Sequence, residues 1–348
     1  MKLLLIGAGG YAGGYINRLL KGEMPDVQWV GVVDPFYASC KYKEQIDEAG
    51  IPVYDTVEEF YAQQEADFAI VCTPTFLHCR QSIAALSHGS YVLCEKPAAP
   101  TVREAEQMRE AEEKYSRFLA IGYQWSYCDA IQKLKADILD GVLGKPLSLK
   151  TAISWPRNRA YYKRGGGWGG RIQKDGNLIL DSIASNACAH YLHNMLFLLG
   201  DTMETSGEVA QFRAECFRAN EIENFDTCCI KMKSRCGVDL YFLASHAAEE
   251  KRSPIFRYTF EKGEVLFDQE KDAQIVTRFH DGSVKVYGNP FEDDFKKLRD
   301  CVAAAKAGTR PVCTVETATP HVKLIEGIYR TIPIHNFPLI AMLPWKRW

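Results

Sequence analysis

Residues 2–34 read KLLLIGAGGYAGGYINRLLKGEMPDVQWVGVVD, and their order decides the fold. The apolar run Leu3 to Ile6 predicts a short buried strand. It runs into Gly7-Ala8-Gly9-Gly10-Tyr11-Ala12, which fits the pattern G-x-G-x-x-G/A. Helix-compatible residues continue to Leu20, and a second apolar run, Trp29 to Val33, ends on Asp34. Strand, glycine turn, helix, strand and acid in this order make a dinucleotide site. Gly7 permits the tight turn, and Gly9 and Gly10 let a pyrophosphate approach the backbone. Ala12 is small enough for close packing of helix on sheet. The helix start offers N–H groups and a positive dipole end to phosphates. Asp34 is placed to accept hydrogen bonds from ribose hydroxyls.

Beyond Asp34 the pattern repeats. Helical stretches are expected at residues 39–48, 56–63, 77–87 and 101–116. Thr56 with Glu59, and Thr101 with Glu104, have capping-box spacing. Strands are expected at 52–54, 67–73, 90–94 and 118–122. This alternation over roughly 120 residues predicts a mostly parallel sheet with helices on both faces. The pattern then changes. Residues 130–139 predict a helix, 148–155 a strand, 161–174 a long loop and 181–199 a long, mostly apolar helix. Residues 238–247, 256–260 and 265–268 alternate like strands of an antiparallel sheet, and helices are expected at 291–305 and 315–329. The organisation expected is a dinucleotide-binding domain over 1–123 and an α+β domain over 124–348.

Composition narrows the function. The chain has 348 residues, 47% hydrophobic and 25% charged, with a net charge of −2. That balance provides no basic field for nucleic acid or an anionic membrane. No run of eighteen apolar residues predicts a membrane span. The 12 cysteines show no disulfide framework and no paired metal-ligand spacing, so reduced thiols in the cytoplasm and no metal are expected.

In an open parallel sheet, ligands sit outside the carboxyl ends of the strands. Gly7, Asp34, Thr73-Pro74, Glu95-Lys96-Pro97 and Tyr123-Gln124 all fall there. Thr73, Pro74, His78, Glu95 and Gln124 are therefore assigned to the cofactor side together with Gly7, Gly9, Gly10, Tyr11, Ala12 and Asp34. Lys96 stands at a strand end beside the place a nicotinamide ring would take.

These segments together, GAGGYA, Asp34, CTPTFLHC, CEKP and GYQ, resemble the Gfo/Idh/MocA oxidoreductase family. KGEVLFD (262–268) and PVCTVETATPH (311–321) are similar to that family's second domain. The resemblance implies an α/β chain: an N-terminal Rossmann domain and a C-terminal α+β domain with an open-faced, mostly antiparallel sheet. It implies NAD- or NADP-dependent hydride transfer at a hydroxyl-bearing carbon of a sugar, polyol or glycoside. Lys96, the lysine of EKP, would assist proton transfer. NAD is favoured because Asp34 would repel a 2′-phosphate, although Lys41 and Lys43 leave room for NADP. Two other readings share the resemblance: an NAD-dependent glycoside hydrolase working by transient oxidation, and a non-catalytic NAD-binding sensor. A homodimer or homotetramer is implied as well.

The second domain departs from the family pattern. Where many members have D-x-G-x-H-x-x-D, this chain has Asp181, then Ser185 at the histidine position and Cys188 at the second acid. It resembles a divergent subgroup with LDS…NAxAHYLHNML and an upstream WPR…YY. Ser126 stands where many members carry arginine. On one helix, Ser182, Asn186 and His190 would form a polar stripe at i, i+4 and i+8. His190 and Asp181 are thus candidates for orienting the substrate, with Asn186 binding it and His193 structural. Trp155, Arg157, Tyr161, Tyr162, Arg164 and Trp168 make an aromatic, arginine-rich stretch suited to stacking on a sugar ring and donating to its oxygens. With Tyr123, they complete the expected substrate contacts.

Overall fold

The computed structural model describes residues 1–337. The chain opens with β1 (Lys2–Ile6), α1 (Ala12–Leu20), β2 (Gln28–Val33), α2 (Lys43–Glu48), β3 (Val53–Tyr54) and α3 (Val57–Gln63). It continues with β4 (Phe68–Val71), α4 (His78–Ser87), β5 (Tyr91–Cys94), α5 (Val102–Tyr115), β6 (Leu119–Ile121) and α6 (Gln124–Tyr127). Next come α7 (Asp129–Leu139), β7 (Pro146–Ser154), α8 (Arg159–Gly167), β8 (Gln173–Lys174), β9 (Asn177–Leu178) and α9 (Ala189–Phe197). A run of strands follows: β10 (Val209–Arg218), β11 (Thr227–Ser234), β12 (Asp239–Ser245), β13 (Arg252–Phe260), β14 (Gly263–Asp268), β15 (Ile275–Phe279) and β16 (Val284–Gly288). Then come α10 (Lys296–Ala307), α11 (Val315–Thr331) and β17 (Ile334–Asn336).

These elements pack as two compact units. The first joins Met1–Tyr127 to Asp294–Val322; the second holds Cys128–Asp293 and the described residues from Lys323 onward. The division at 123 and 124 read from the sequence does not contain the return of Asp294–Val322 to the first unit. That return is a long-range packing event, and no local pattern announces it.

In the first unit the sheet order is β3-β2-β1-β4-β5-β6, with every pairing parallel. Leu3 to Ile6 and Phe68 to Val71 are fully buried, as continuous apolar strands covered on both faces must be. The order reverses between β1 and β4, so the crevice of this sheet lies at their carboxyl ends. The expected caps form: Thr56 accepts from Glu59 N and Thr101 from Glu104 N. Each cap contributes about 1 kcal/mol. The helix expected at 39–48 is shorter, a 3-10 turn at Tyr37–Ser39 and then α2.

In the second unit the sheet order is β16-β15-β14-β13-β7-β12-β11-β10-β17. β7 runs parallel to β12 and β10 to β17, and the other pairings are antiparallel. The sheet is therefore mixed, though mostly antiparallel. Burial alternates along β11: Cys228, Ile230 and Met232 point inward, while Cys229, Lys231 and Lys233 are exposed. A period of two with one wet face is the pattern of a sheet covered on one side only.

Two sequence expectations in this unit are corrected. Residues 161–174 are not one loop. Asn158 caps a helix by accepting from Tyr161 N, α8 runs from there to the glycines at 166 and 167, and the β8–β9 hairpin follows. Residues 181–199 are not one helix. Ser182 and Ser185 form a reciprocal capping box, and a π turn spans Ile183–Ala187 before α9 begins. The wide turn is closed by Cys188 N donating to Ile183 O at 2.8 Å. The extra residue breaks the 3.6-residue spacing, so Ser182, Asn186 and His190 do not share one stripe.

Candidate functional site

The glycine turn after β1 is built as its sequence requires. Gly7 has φ +91°, and a Cβ there would lie 2.7 Å from the Cys72 carbonyl oxygen and 2.8 Å from Thr73 Cγ2. Only glycine combines that backbone angle with that approach. Gly10 also takes a positive φ, of +56°. A Cβ on Gly9 or Gly10 would meet nothing within 4 Å, so the outer side of the turn is open. Ala12 is fully buried against the sheet. The next two positions pack closer still: a Cβ on Gly13 would strike the Tyr42 ring, and one on Gly14 would come 2.2 Å from Phe295.

Asp34 closes the turn from the end of β2. Its Oδ2 accepts from Ala8 N and its Oδ1 from Phe36 N, both at 2.8 Å. The carboxylate is thus fixed beside the glycines and half-exposed. An open turn over glycine, a helix start and a fixed carboxylate together suit the pyrophosphate and ribose of a dinucleotide. Among the nearby lysines, Lys43 pairs with Asp47, and Lys41 lies over the Tyr42 ring.

The loops after β4 and β5 are tied together by His78. Its ring faces two carbonyls, with Nε2 2.8 Å from Thr73 O and Nδ1 2.9 Å from Pro97 O. Both its ring nitrogens therefore face protein carbonyls, and we assign it a positioning role in place of the expected cofactor contact. Thr73 also donates to Gln81 Oε1, and Pro74 caps the short 3-10 turn that leads into α4. Burial lowers the His78 ring below the ordinary histidine range, against the two carbonyls, which favour the protonated ring. The unfolded chain then binds a proton first as pH falls below about 6.5, so stability is lost as pH falls through that value. Urea unfolding between about pH 8 and pH 5 is expected to show a steeper acid loss in the wild type than in His78→Gln. Equal slopes would remove His78 from that role.

Lys96 stands two residues beyond the end of β5 and is half-buried, with its backbone N–H donating to Glu95 Oε2 at 3.3 Å. Glu95 was expected at the cofactor, but its carboxylate turns inward. Tyr15 Oη and Lys297 Nζ both donate to its Oε1, and Gly122 leaves room for it. Tyr15 is fully buried, and burial, reinforced by Glu95, holds its phenol far above the ordinary range, so it stays a donor. Burial alone would lower Lys297, but Glu95 outweighs it and keeps the ammonium above the usual lysine range.

Tyr11 and Gln124 reach the same cluster. Tyr11 Oη donates to Gln124 Oε1, and Gln124 Nε2 donates to Asp294 Oδ1 at 2.6 Å. The Tyr11 ring stacks on Phe295. Asp294, Phe295 and Lys297 come from the returning segment and were missed by the sequence reading. The only trace of them was the extra glycine at 14, where a Cβ would strike Phe295. Tyr123 is corrected: it is fully buried, with its hydroxyl 3.0 Å from His321 Nδ1, and offers no surface to a substrate.

In the second unit, Trp155 follows β7 and is fastened by His246, whose Nδ1 donates to the Trp155 carbonyl at 2.7 Å. Arg157 N donates back to His246 O. The Arg157 guanidinium lies 4.9 Å from the Tyr161 ring centroid and 5.7 Å from that of Trp155. Tyr161 and Tyr162 pack edge-on to each other and to His246. Two donors here, Trp155 Nε1 and Arg157 Nε, are buried without an acceptor among the described residues. Trp168 caps the end of α8, half-buried; the side chain of Arg164 lies outside the described atoms. Asp181 Oδ2 accepts from Gly170 N at 2.6 Å and Oδ1 from Asn186 Nδ2 at 2.8 Å. One oxygen thus holds the chain ahead of the β8–β9 hairpin and the other the Asn186 side chain of the π turn, which fits a positioning carboxylate better than a proton carrier. His190 stands in the first turn of α9, half-buried; His193 is buried beside Phe197, as expected of a structural histidine.

Residues 1–123 match the model of an oxidoreductase family with an NAD-binding Rossmann fold, Gfo/Idh/MocA. The chain is similar to the rhizopine catabolism protein MocA of Rhizobium meliloti, 30% identical over 169 residues, 48% of this chain and 51% of that protein. It is also similar to glucose-6-phosphate 3-dehydrogenase of Bacillus subtilis, 29% identical over 167 residues, 48% of this chain and 45% of that protein. The chain spans about half the length of these curated relatives. The WlbA dehydrogenase from Bordetella pertussis, solved with NADH and UDP-GlcNAcA, has the same fold. Its TM-score is 0.77 at 20% identity, over 95% of this chain and 96% of that one. No helix among the described residues is long and apolar enough to cross a membrane.

Proposed function

We propose that this chain, whose residues 1–123 match the Gfo/Idh/MocA model of NAD-binding Rossmann oxidoreductases, is an NAD-dependent oxidoreductase acting on a hydroxyl-bearing carbon of a sugar, polyol or glycoside. The observation that carries the reading is Lys96, half-buried at the carboxyl end of β5, in a sheet whose β1 and β2 ends carry the open glycine turn and Asp34. The glycine turn holds the pyrophosphate and Asp34 the adenine-side ribose. NAD supplies the hydride chemistry once bound. Lys96 donates a hydrogen bond to the reacting oxygen, takes the hydroxyl proton in the oxidising direction and returns it in the other.

The second unit, taken by itself, has groups suited to a carbohydrate. Trp155 and Trp168, both half-buried, offer aromatic faces; Tyr162, expected beside them, is buried and does not. The indole N–H of Trp155 and the Nε–H of Arg157 are donors that a sugar's oxygens would satisfy. Asn186 and His190 are the polar groups of this unit that we assign to sugar recognition, and Asp181 holds Asn186 in place. The exposed sheet face carrying Lys231, Lys233, Leu243 and Ile255 is where we place a homo-oligomeric contact.

Cofactor preference tests the first half. Titration followed by tryptophan fluorescence is expected to give NADH at least about tenfold tighter binding than NADPH, because a 2′-phosphate would face the Asp34 carboxylate. In Asp34→Ala that ratio is expected to fall towards one. Tighter NADPH binding by the wild type would contradict the role given to Asp34.

A further inference from the structure

Arg157 follows β7 and is half-buried, with its Nε closed off from solvent and no acceptor for that N–H among the described residues. Its guanidinium lies over two rings, 4.9 Å from the Tyr161 centroid and 5.7 Å from that of Trp155. The indole N–H of Trp155 is buried in the same condition. Both residues are fixed by their backbones. Trp155 N donates to the Ser245 carbonyl, its own carbonyl faces His246 Nδ1, and Arg157 N donates to the His246 carbonyl. The Trp155 ring meets Tyr191 of α9 edge-on. Two unanswered donors are thus mounted on one short, pinned strip of chain.

The charge of Arg157 is as unanswered as its N–H. The carboxylates of the neighbouring segments are engaged elsewhere. Glu221 pairs with Arg159 and Glu223 with Arg171. Both oxygens of Asp181 accept hydrogen bonds inside the fold, and so do both oxygens of Asp226. Aromatic rings attract a cation, but they give its N–H groups no ordinary acceptor. A molecule that covers Arg157 removes the water it still has. A sugar hydroxyl would then satisfy one N–H and leave a desolvated cation with no counter-charge, an unfavourable state. A carboxylate answers both needs, with two parallel N–H···O bonds to the guanidinium fork and one compensating charge. A phosphate monoester carries nearly two charges, and Arg159 and Arg171 further along the chain are already paired. The single charge of a carboxylate matches Arg157 better.

We propose that Trp155 and Arg157 form a carboxylate subsite, and that the substrate is a sugar acid, a uronic acid or a glycoside of one. This rests on the function proposed above and gives it a substrate class. Arg157 is a specificity-determining residue in this assignment and carries no step of the hydride transfer.

The test is calorimetric titration of the NADH-saturated protein with matched probes. These are D-glucuronate, D-glucose and glucose 6-phosphate, with the methyl glycosides of the first two. A carboxylate probe is expected to bind at least about tenfold tighter than its neutral parent, the effect of one charge-assisted hydrogen-bonded pair. In Arg157→Gln that preference is expected to fall to within about threefold, with the affinity for the neutral parent unchanged. Arg157→Lys keeps the charge without the fork and is expected to fall between the two. A merely structural role would weaken acid and neutral probes alike. Neutral parents that bind as tightly as the acids, no binding of any acid, tighter binding of the phosphate than of the carboxylate, or an unchanged preference in Arg157→Gln would each overturn the inference. The wild-type comparison decides it even if neither variant folds. Acid-selective binding in a protein that forms no NADH from any probe would sink the proposed function and leave the inference standing. NADH formation from neutral sugars alone would do the reverse.

Discussion

Replacing Lys96 with methionine is expected to lower kcat by about 10²- to 10⁴-fold, the range of a positioned acid–base group. Methionine keeps most of the side-chain length and the apolar stem but cannot donate to the substrate oxygen or carry its proton. The backbone contact from residue 96 to Glu95 Oε2 survives the change, and so does the Glu95–Lys297 pair. NADH affinity is therefore expected to stay within about threefold of wild type, because the loss falls on an interaction made in the transition state. Stopped-flow hydride transfer and fluorescence titration separate the two quantities. Near-normal turnover in Lys96→Met would remove Lys96 from proton transfer and with it the observation that carries the proposed function.

The second large effect is expected at Gly7. An alanine there must adopt φ +91° and place its Cβ 2.7 Å from the Cys72 carbonyl oxygen. Thr73 could turn its methyl aside, but the Cys72 carbonyl belongs to a backbone pinned by Cys72 N donating to Ile6 O. Left-handed strain and overpacking together are expected to cost about 2–5 kcal/mol. Gly9→Ala makes the contrast. Its Cβ meets no protein atom within 4 Å, so stability should change by less than about 1 kcal/mol. NADH binding should nonetheless weaken, because the new methyl occupies the space left for the pyrophosphate. Urea midpoints and NADH titrations of the two variants distinguish a glycine that shapes the turn from one that clears it. Equal destabilisation by both would contradict this division.

The first unit was legible because its signals are local. A buried parallel strand is a short apolar run, a capping threonine lies three residues from its glutamate, and the fingerprint is contiguous. The β1, β4 and β5 ends that carry Gly7, Thr73 and Lys96 could be placed from these alone. What could not be read was the inward turn of Glu95, because its partner Lys297 is far away in sequence and a charge next to Lys96 looks the same on paper whichever way it faces. Tyr123 failed similarly. A tyrosine at a strand end is suited to a substrate, and only the buried contact with His321 shows that it is structural.

The second unit was harder to read for a different reason. Its strands β10 and β11 alternate polar and apolar residues around charged exposed positions, and their pairing is non-local. The helix expected from Asp181 was wrong at its start because the Ser182–Ser185 capping box and the π turn insert a residue into the repeat. That insertion moves Asn186 next to Asp181 and separates it from the His190 stripe. Helical spacing is a reliable guide only while every turn has the same width.

The most direct test of the central claim is NADH formation by the purified chain with NAD and a panel of sugars, polyols and glycosides, run beside Lys96→Met. The expected result is stoichiometric NADH with at least one member of the panel, lost in the lysine variant. Binding of NADH without NADH formation from any member of the panel, or aglycone release with no net NADH, would contradict it.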